Sequence, residues 1–148
     1  MKRLKYMLSL TLTLALLAGL LCTTAAGSGE AVCSSDYICA YSAGLTSESD
    51  CKITVTVDVD ATRTMTQVGA SSVTFYRSTD QTHWTPTKTY NYEDHPKMMG
   101  SGMSYYKDII THYGVPGYYY FADVTCYAGD SSGHDTRVYT TNIVRAFD

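Results

Sequence analysis

The chain has 148 residues, 45% hydrophobic and 17% charged, with 14 Tyr, 5 Cys and a formal net charge of −3. Nine of the ten Leu lie at or before Leu21, and the 122 residues after Ala26 carry 8 Lys+Arg against 14 Asp+Glu, a net of −6. That acidic balance argues against nucleic acid or anionic membrane as a default partner, and a nearly Leu-free chain rich in Thr, Val and Tyr argues against a helix bundle.

Met1–Tyr6 is basic, Met7–Leu21 is almost wholly apolar, and Cys22–Gly29 is small and polar. This order is that of a secretory signal peptide, with cleavage expected after Ala26. The apolar run of about 15 residues falls short of the roughly 20 that a spanning helix needs. Cys22 raises a lipoprotein reading, but Leu20 and Leu21 stand where such a signal wants small residues. No second apolar segment and no sorting signal follows, so a free, secreted protein without a membrane span is expected. Residues 27–35 are small and polar and read as a flexible stretch ahead of a single domain over 36–148.

From there the pattern is that of strands. Tyr37–Ser42 is short. In Cys51–Val59, Cys51, Ile53, Val55, Val57 and Val59 alternate with Lys52, Thr54, Thr56 and Asp58, giving one apolar and one wet face. Ser71–Ser78, Pro86–Tyr92, Gly102–Thr111, Tyr118–Ala128 and Arg137–Ala146 follow, with turn-forming residues between them. No segment carries a sustained helical repeat; Asp108–Tyr113 could hold one helical turn. Seven short strands predict an all-β antiparallel sandwich, with a small closed barrel as the alternative. Leu, Ile, Val and Phe together number only 19 after Ala26, so a Tyr-rich core stapled by disulfides is expected.

Four cysteines follow the leader: Cys33, Cys39, Cys51 and Cys126. An even number in an exported chain favours two disulfides over a metal site, for which no C-x-x-C pair or suitably spaced His is present.

In Val115–Ala128 (VPGYYYFADVTCYA), Pro116-Gly117 is followed by Tyr120, Ala122, Val124 and Cys126 at steps of two. The stretch resembles the penultimate strand of fibronectin type III domains, where a Pro-Gly turn leads into a tyrosine corner. Phe75–Trp84 (FYRSTDQTHW) resembles the strand and turn at the middle of such domains. Similar patches occur in small secreted proteins of Gram-positive bacteria that have no assigned activity. The resemblance implies an immunoglobulin-like sandwich without implying a reaction. Ser78-Thr79-Asp80 before Trp84 is also similar to the Asp-box hairpin of sialidases, but it lacks the Gly after Asp and is one residue short; that box is in any case a folding device.

With Cys51–Val59 as second strand and Tyr118–Ala128 as sixth, both run the same way in such a sandwich. Cys51 and Cys126 then stand at opposite ends, well beyond the roughly 4.4–6.8 Å a disulfide allows. The first strand runs opposite to the second, which brings Cys33 or Cys39 towards the Cys126 end, and the pairs expected are Cys39–Cys51 and Cys33–Cys126.

Candidate chemistry is thin. His83, His95, His112 and His134 belong to no recognised catalytic motif. His134-Asp135 reads as an exposed turn rather than an acid/base or metal pair. Asp58 and Asp60 lack the Gly and distal Glu of a calcium loop. His112, Tyr113 and Lys107 have no nucleophile or oxyanion donor beside them. Trp84, Tyr90 and Tyr92 share one parity with Pro86 and Lys88, so they form either a sugar-stacking row or part of the core. The adjacent tyrosines Tyr105-Tyr106 and Tyr118-Tyr119-Tyr120 force some rings outward, which suits protein recognition. The expected function is a secreted, non-catalytic module without cofactor or metal that contacts an extracellular protein or envelope component; the alternative is glycan binding through Trp84, Tyr90 and Tyr92.

Overall fold

The structure, a computed structural model, describes residues 35–148. The leader, Cys22, Cys33 and residues 27–34 of the expected flexible stretch lie outside the described residues. Ser35, the last residue of that stretch, is tied down: its hydroxyl accepts from the Ile38 N–H at 2.7 Å and donates to the Ile38 carbonyl at 3.1 Å.

The described residues are all-β. Nine strands run in order: β1 (Ile38–Ser47), β2 (Lys52–Met65), β3 (Gln67–Ser78), β4 (Thr85–Asn91), β5 (Met99–Gly100), β6 (Met103–Tyr113), β7 (Tyr119–Asp130), β8 (Gly133–Thr140) and β9 (Val144–Arg145). A single 3₁₀ turn, Pro96–Met98, precedes β5. One sheet has the order β1-β2-β6 and the other β4-β3-β7-β8, with β5 on β3 and β9 on β7. Every pairing is antiparallel. The sheets stay separate, so the barrel alternative is discarded.

The seven expected strands correspond to the seven long ones, with shifted ends. β1 reaches Ser47 because it stays paired with β2 as far as Ile53, and Asn142 makes paired bonds to Leu45, accepting from its N–H and donating to its carbonyl, both at 2.9 Å. The expected last strand divides into β8 and β9 around this Asn. Asp108–Tyr113 is strand, since Ile110 lies opposite Val55 and alternation carries through.

The core is Val-rich rather than Tyr-rich. Val55, Val57, Val59, Val68, Val73 and Val124 are essentially inaccessible, and each contributes about 1.5–3 kcal/mol relative to an exposed position. Phe75 and Tyr120 are the largest fully buried side chains, while Tyr37, Tyr41, Tyr90, Tyr106, Tyr118 and Tyr139 seal the rim. Tyrosine fails as core filler because its hydroxyl needs a partner, which the margin supplies. Tyr120 meets that need: the Val115 N–H donates to its hydroxyl at 2.8 Å. Between them the Tyr118 N–H bonds the Val115 carbonyl across Pro116-Gly117, with Gly117 at φ +85 as a type II turn requires.

The expected disulfides are corrected. Cys51 and Cys126 are free, buried thiols, so neither Cys39–Cys51 nor Cys33–Cys126 is present. Cys51 does not open β2 as a strand residue. It closes the β1–β2 turn with φ +53, accepting at its carbonyl from Gly114 and donating its N–H to Phe147. Cys126 sits in mid-β7 between Ala70 and Arg137, fully covered. Cys39 is disulfide-bonded, with neither of these two as its partner. Among the described residues, no helix is long and apolar enough to cross a membrane.

Candidate functional site

The residues expected to form one aromatic row are divided by a β-bulge. β4 pairs Lys88 with Phe75 but Pro86 with Tyr76, so Thr87 is an extra residue and the facing reverses there. Trp84 lies on the outer face of the six-stranded sheet, edge-on to Phe121 with centroids 4.7 Å apart. Phe121 stacks on its cross-strand neighbour Tyr76 at 4.8 Å. Tyr90 is on the other side of the bulge, edge-on to Phe75 at 5.9 Å. Tyr92 takes a bond of 2.8 Å at its hydroxyl from the Gln67 side chain. Tyr76 and Phe121 escaped the sequence reading because their association with Trp84 depends on strand order.

Trp84 is positioned by the β3–β4 connection. Asp80 accepts from the Ser78 hydroxyl at 2.8 Å, from the Thr82 and His83 N–H groups at 2.9 Å, and pairs with the His83 ring at 2.7 Å. These bonds, the His83 N–H foremost, hold its carboxyl far below the usual range. The Asp organises a turn.

A second feature is a cleft of about 290 Å³ between the edge strands β4 and β6. It is lined by Tyr90, His95, Lys97 and Met98 on one side and by the consecutive residues Asp108–Thr111 on the other. The Tyr90 hydroxyl donates to the Thr111 carbonyl at 3.4 Å, and the His95 ring lies 5.2 Å from that of Tyr90. Burial raises the pKa of Asp108, opposed by the Ile109 N–H and the charge of Lys97. His112 lies behind the cleft, stacked on Phe75 at 4.6 Å, its pKa lowered by burial and then by Lys88.

The third feature is the outward face of β6. Alternation places Tyr105, Lys107, Ile109, Thr111 and Tyr113 there, and Tyr106, Asp108, Ile110 and His112 on the opposite side. Tyr105 is 48% exposed, Ile109 60% and Tyr113 68%. Tyr106 and Tyr120 turn inward while Tyr105 turns outward, as adjacent tyrosines in strands must. The same alternation separates His112 from Lys107 and Tyr113, so those three do not converge. Lys107 instead pairs with Asp58 at 3.3 Å, and Asp58 also accepts from the Tyr105 hydroxyl at 2.6 Å. Asp58 and Asp60 border a shallow hollow of about 120 Å³ with Tyr41 and Ser42. His134 stacks on Tyr127 at 5.3 Å, while Asp135 pairs with Arg137 at 2.7 Å. Among the described residues, no group of three or more His, Cys, Asp or Glu could hold a metal ion.

No protein-family model, curated protein or solved structure matches the chain. Any functional reading therefore stands on these surfaces.

Proposed function

We propose that the chain is an exported, non-catalytic β-sandwich module that works by surface contact with an extracellular protein or a protein of the cell envelope. One observation carries this: exposed large apolar side chains gather on one edge strand. Tyr105, Ile109 and Tyr113 lie on the outward face of β6, and Val115 follows its end. Phe147 is brought beside them by Cys51, which bonds both Gly114 and Phe147. Exposed apolar groups are ordinary singly but mark contact surfaces when gathered.

The basic, apolar and small-residue segments of Met1–Gly29 support export. The fibronectin-like reading is supported by the division of strands. Constant-type immunoglobulin domains keep the fourth strand with the first, second and fifth, whereas here β4 lies beside β3. The Val115–Tyr120 bond stands where a tyrosine corner belongs, at the entry to the penultimate long strand.

Photo-crosslinking amino acids at Ile109 and Tyr113, with a control at Val138 on the far sheet, test the reading in the producing cell's envelope and medium. Discrete protein adducts from the two β6 positions alone are expected. Equal labelling from Val138, or none anywhere, overturns it.

The Tyr76–Trp84–Phe121 cluster favours a second reading, glycan binding, with Trp84 rather than a Trp84–Tyr90–Tyr92 row as its centre. A glycan array and saccharide titration of Trp84 fluorescence test it; no binding and no spectral change remove it.

A further inference from the structure

β6 ends its sheet, so one of its edges has no strand partner among the described residues. Backbone groups on such an edge still need hydrogen bonds. The Thr111 carbonyl accepts from the Tyr90 side chain, so the groups of Thr111 turn away from β2. Alternation turns those of Ile109 the same way, and the Ile109 N–H lies against the adjacent Asp108 carboxylate. Side chains thus occupy the places of a neighbouring strand. Near its start β6 is covered, with the Tyr106 hydroxyl donating to the Lys97 carbonyl of the 3₁₀ turn. Over Asp108–Thr111 the edge borders the open cleft.

The cleft has a polarity. Tyr90, Met98 and Ile110 give it apolar walls, and Asp108 is its acidic group. Lys97 stands at the same cleft without forming an ion pair with Asp108. A long side chain with an apolar stem and a cationic head matches these walls and this carboxylate.

We propose that the edge of β6 over Asp108–Thr111 receives an extended peptide segment of a partner protein, which adds as a strand beside β6. The segment takes over the Thr111 carbonyl from Tyr90 and the Ile109 N–H from Asp108, and places a Lys or Arg side chain in the cleft against the released Asp108 carboxylate. This is strand addition: main-chain bonds supply affinity and a pocket for alternate side chains supplies selectivity. The excess of acids over bases after Ala26 favours a basic segment on approach. The inference rests on β6 being the contact strand and specifies the form of the partner.

The test uses short capped peptides of alternating Thr and Val with a central Lys, and the same peptides with Glu or norleucine there, added to the isotope-labelled protein. The Ile109 and Thr111 amides are expected to shift and gain protection from hydrogen exchange. The Lys peptide should bind about tenfold more tightly than the Glu peptide, a preference that Asp108→Asn abolishes. Ile109→Pro removes one free-edge N–H and should abolish binding of every peptide; if that variant does not fold, protection at Ile109 and Thr111 in the unaltered protein decides. Val138→Ser, on the far sheet, should leave peptide binding within about twofold. Absence of shifts at Ile109 and Thr111, or indifference to the central residue, overturns the inference. If that happens while crosslinks from Ile109 and Tyr113 persist, the outward face is the contact and only the strand addition falls; loss of the crosslinks as well removes both.

Discussion

The Val115 backbone N–H donates to the Tyr120 hydroxyl at 2.8 Å, tying the β6–β7 connection to a ring that is 1% exposed. The Pro116-Gly117 turn brings the chain back over the ring, and burial of the ring fixes the hydroxyl. Connection and core therefore hold each other in place. Tyr120→Phe keeps the packing and removes the acceptor. It should lower stability by about 1–2 kcal/mol, whereas Tyr120→Ala, which also opens a cavity, should cost about 3–5 kcal/mol. Urea unfolding monitored by Trp84 fluorescence measures both, and a Tyr120→Phe variant as stable as the unaltered protein would show that the hydroxyl contributes nothing.

The two free thiols predict an alkaline limit. Burial pushes Cys126 up from its ordinary 9.0 to about 12. Cys51 is also raised, by burial first and then by Asp148, whose carboxylate accepts from its thiol at 3.5 Å. A raised pKa means that the folded state holds the proton more tightly. The associated stability is complete below about pH 9 and is lost as the pH rises toward 12. At neutral pH a thiol reagent should reach neither Cys51 nor Cys126 in the folded protein and both after denaturation. A Cys126→Ala variant should lose less stability between pH 9 and 12 than the unaltered protein. Rapid labelling in native buffer would contradict the burial of these thiols.

Much of this fold was legible where one physical rule acts alone. The alternation over Ile53–Val59 gave β2, and that over Tyr120–Cys126 gave the inward face of β7, because a strand with one buried face leaves period two in its sequence. The limits lay where the backbone departs from that period. The bulge at Thr87 reverses the facing of β4 without a signature residue, so Trp84 and Tyr90 appeared to share a face. The positive φ at Cys51 moved that residue from strand to turn, and the expected disulfides failed with it. The cleft was illegible for another reason: it joins Tyr90 and Met98 to Asp108 and Ile110 across two sheets. Only the strand order makes β4 and β6 facing edges. For Tyr105-Tyr106 the sequence showed only that one ring must turn outward; that it is Tyr105, in a row with Ile109 and Tyr113, follows from the strand's burial.

Gly69 predicts how tightly the Met98–Gly100 segment sits on β3. Its φ is +146, and a Cβ there would stand 2.3 Å from the Met98 carbonyl oxygen and 2.9 Å from a Tyr106 ring carbon. Strain and overlap therefore act together, and the obstructing oxygen belongs to backbone held by the β3–β5 pairing of Gly69 with Met99. Gly69→Ala should lower stability by about 2–4 kcal/mol. Gly44→Ala is the control, since nothing lies within 4 Å of a Cβ at that position. Thermal unfolding of the two variants checks the difference, and equal midpoints would deny the close approach.

The acid side of the stability profile should come from two turns. Asp80 is held far below the usual carboxylate range by the His83 N–H first, then by the His83 ring, the Thr82 N–H and the Ser78 hydroxyl. Asp130, the last residue of β7, is lowered from 3.8 to about 2, by the Ser132 hydroxyl and N–H and then by Arg63, whose guanidinium lies 2.9 Å away. A depressed folded-state pKa means the opposite sign from the thiols. The stabilisation is present above the ordinary value of 3.8 and is lost as the pH falls toward 2. Both carboxylates are solvated, so salt should screen the Arg63 contribution and leave the turn hydrogen bonds largely intact. The urea midpoint should stay level down to about pH 4 and fall below it, less steeply in Asp130→Asn, which has no carboxylate to protonate. Parallel acid limbs for the variant and the unaltered protein would assign the loss to other groups, and an unchanged limb in Asp80→Asn would exclude the β3–β4 turn.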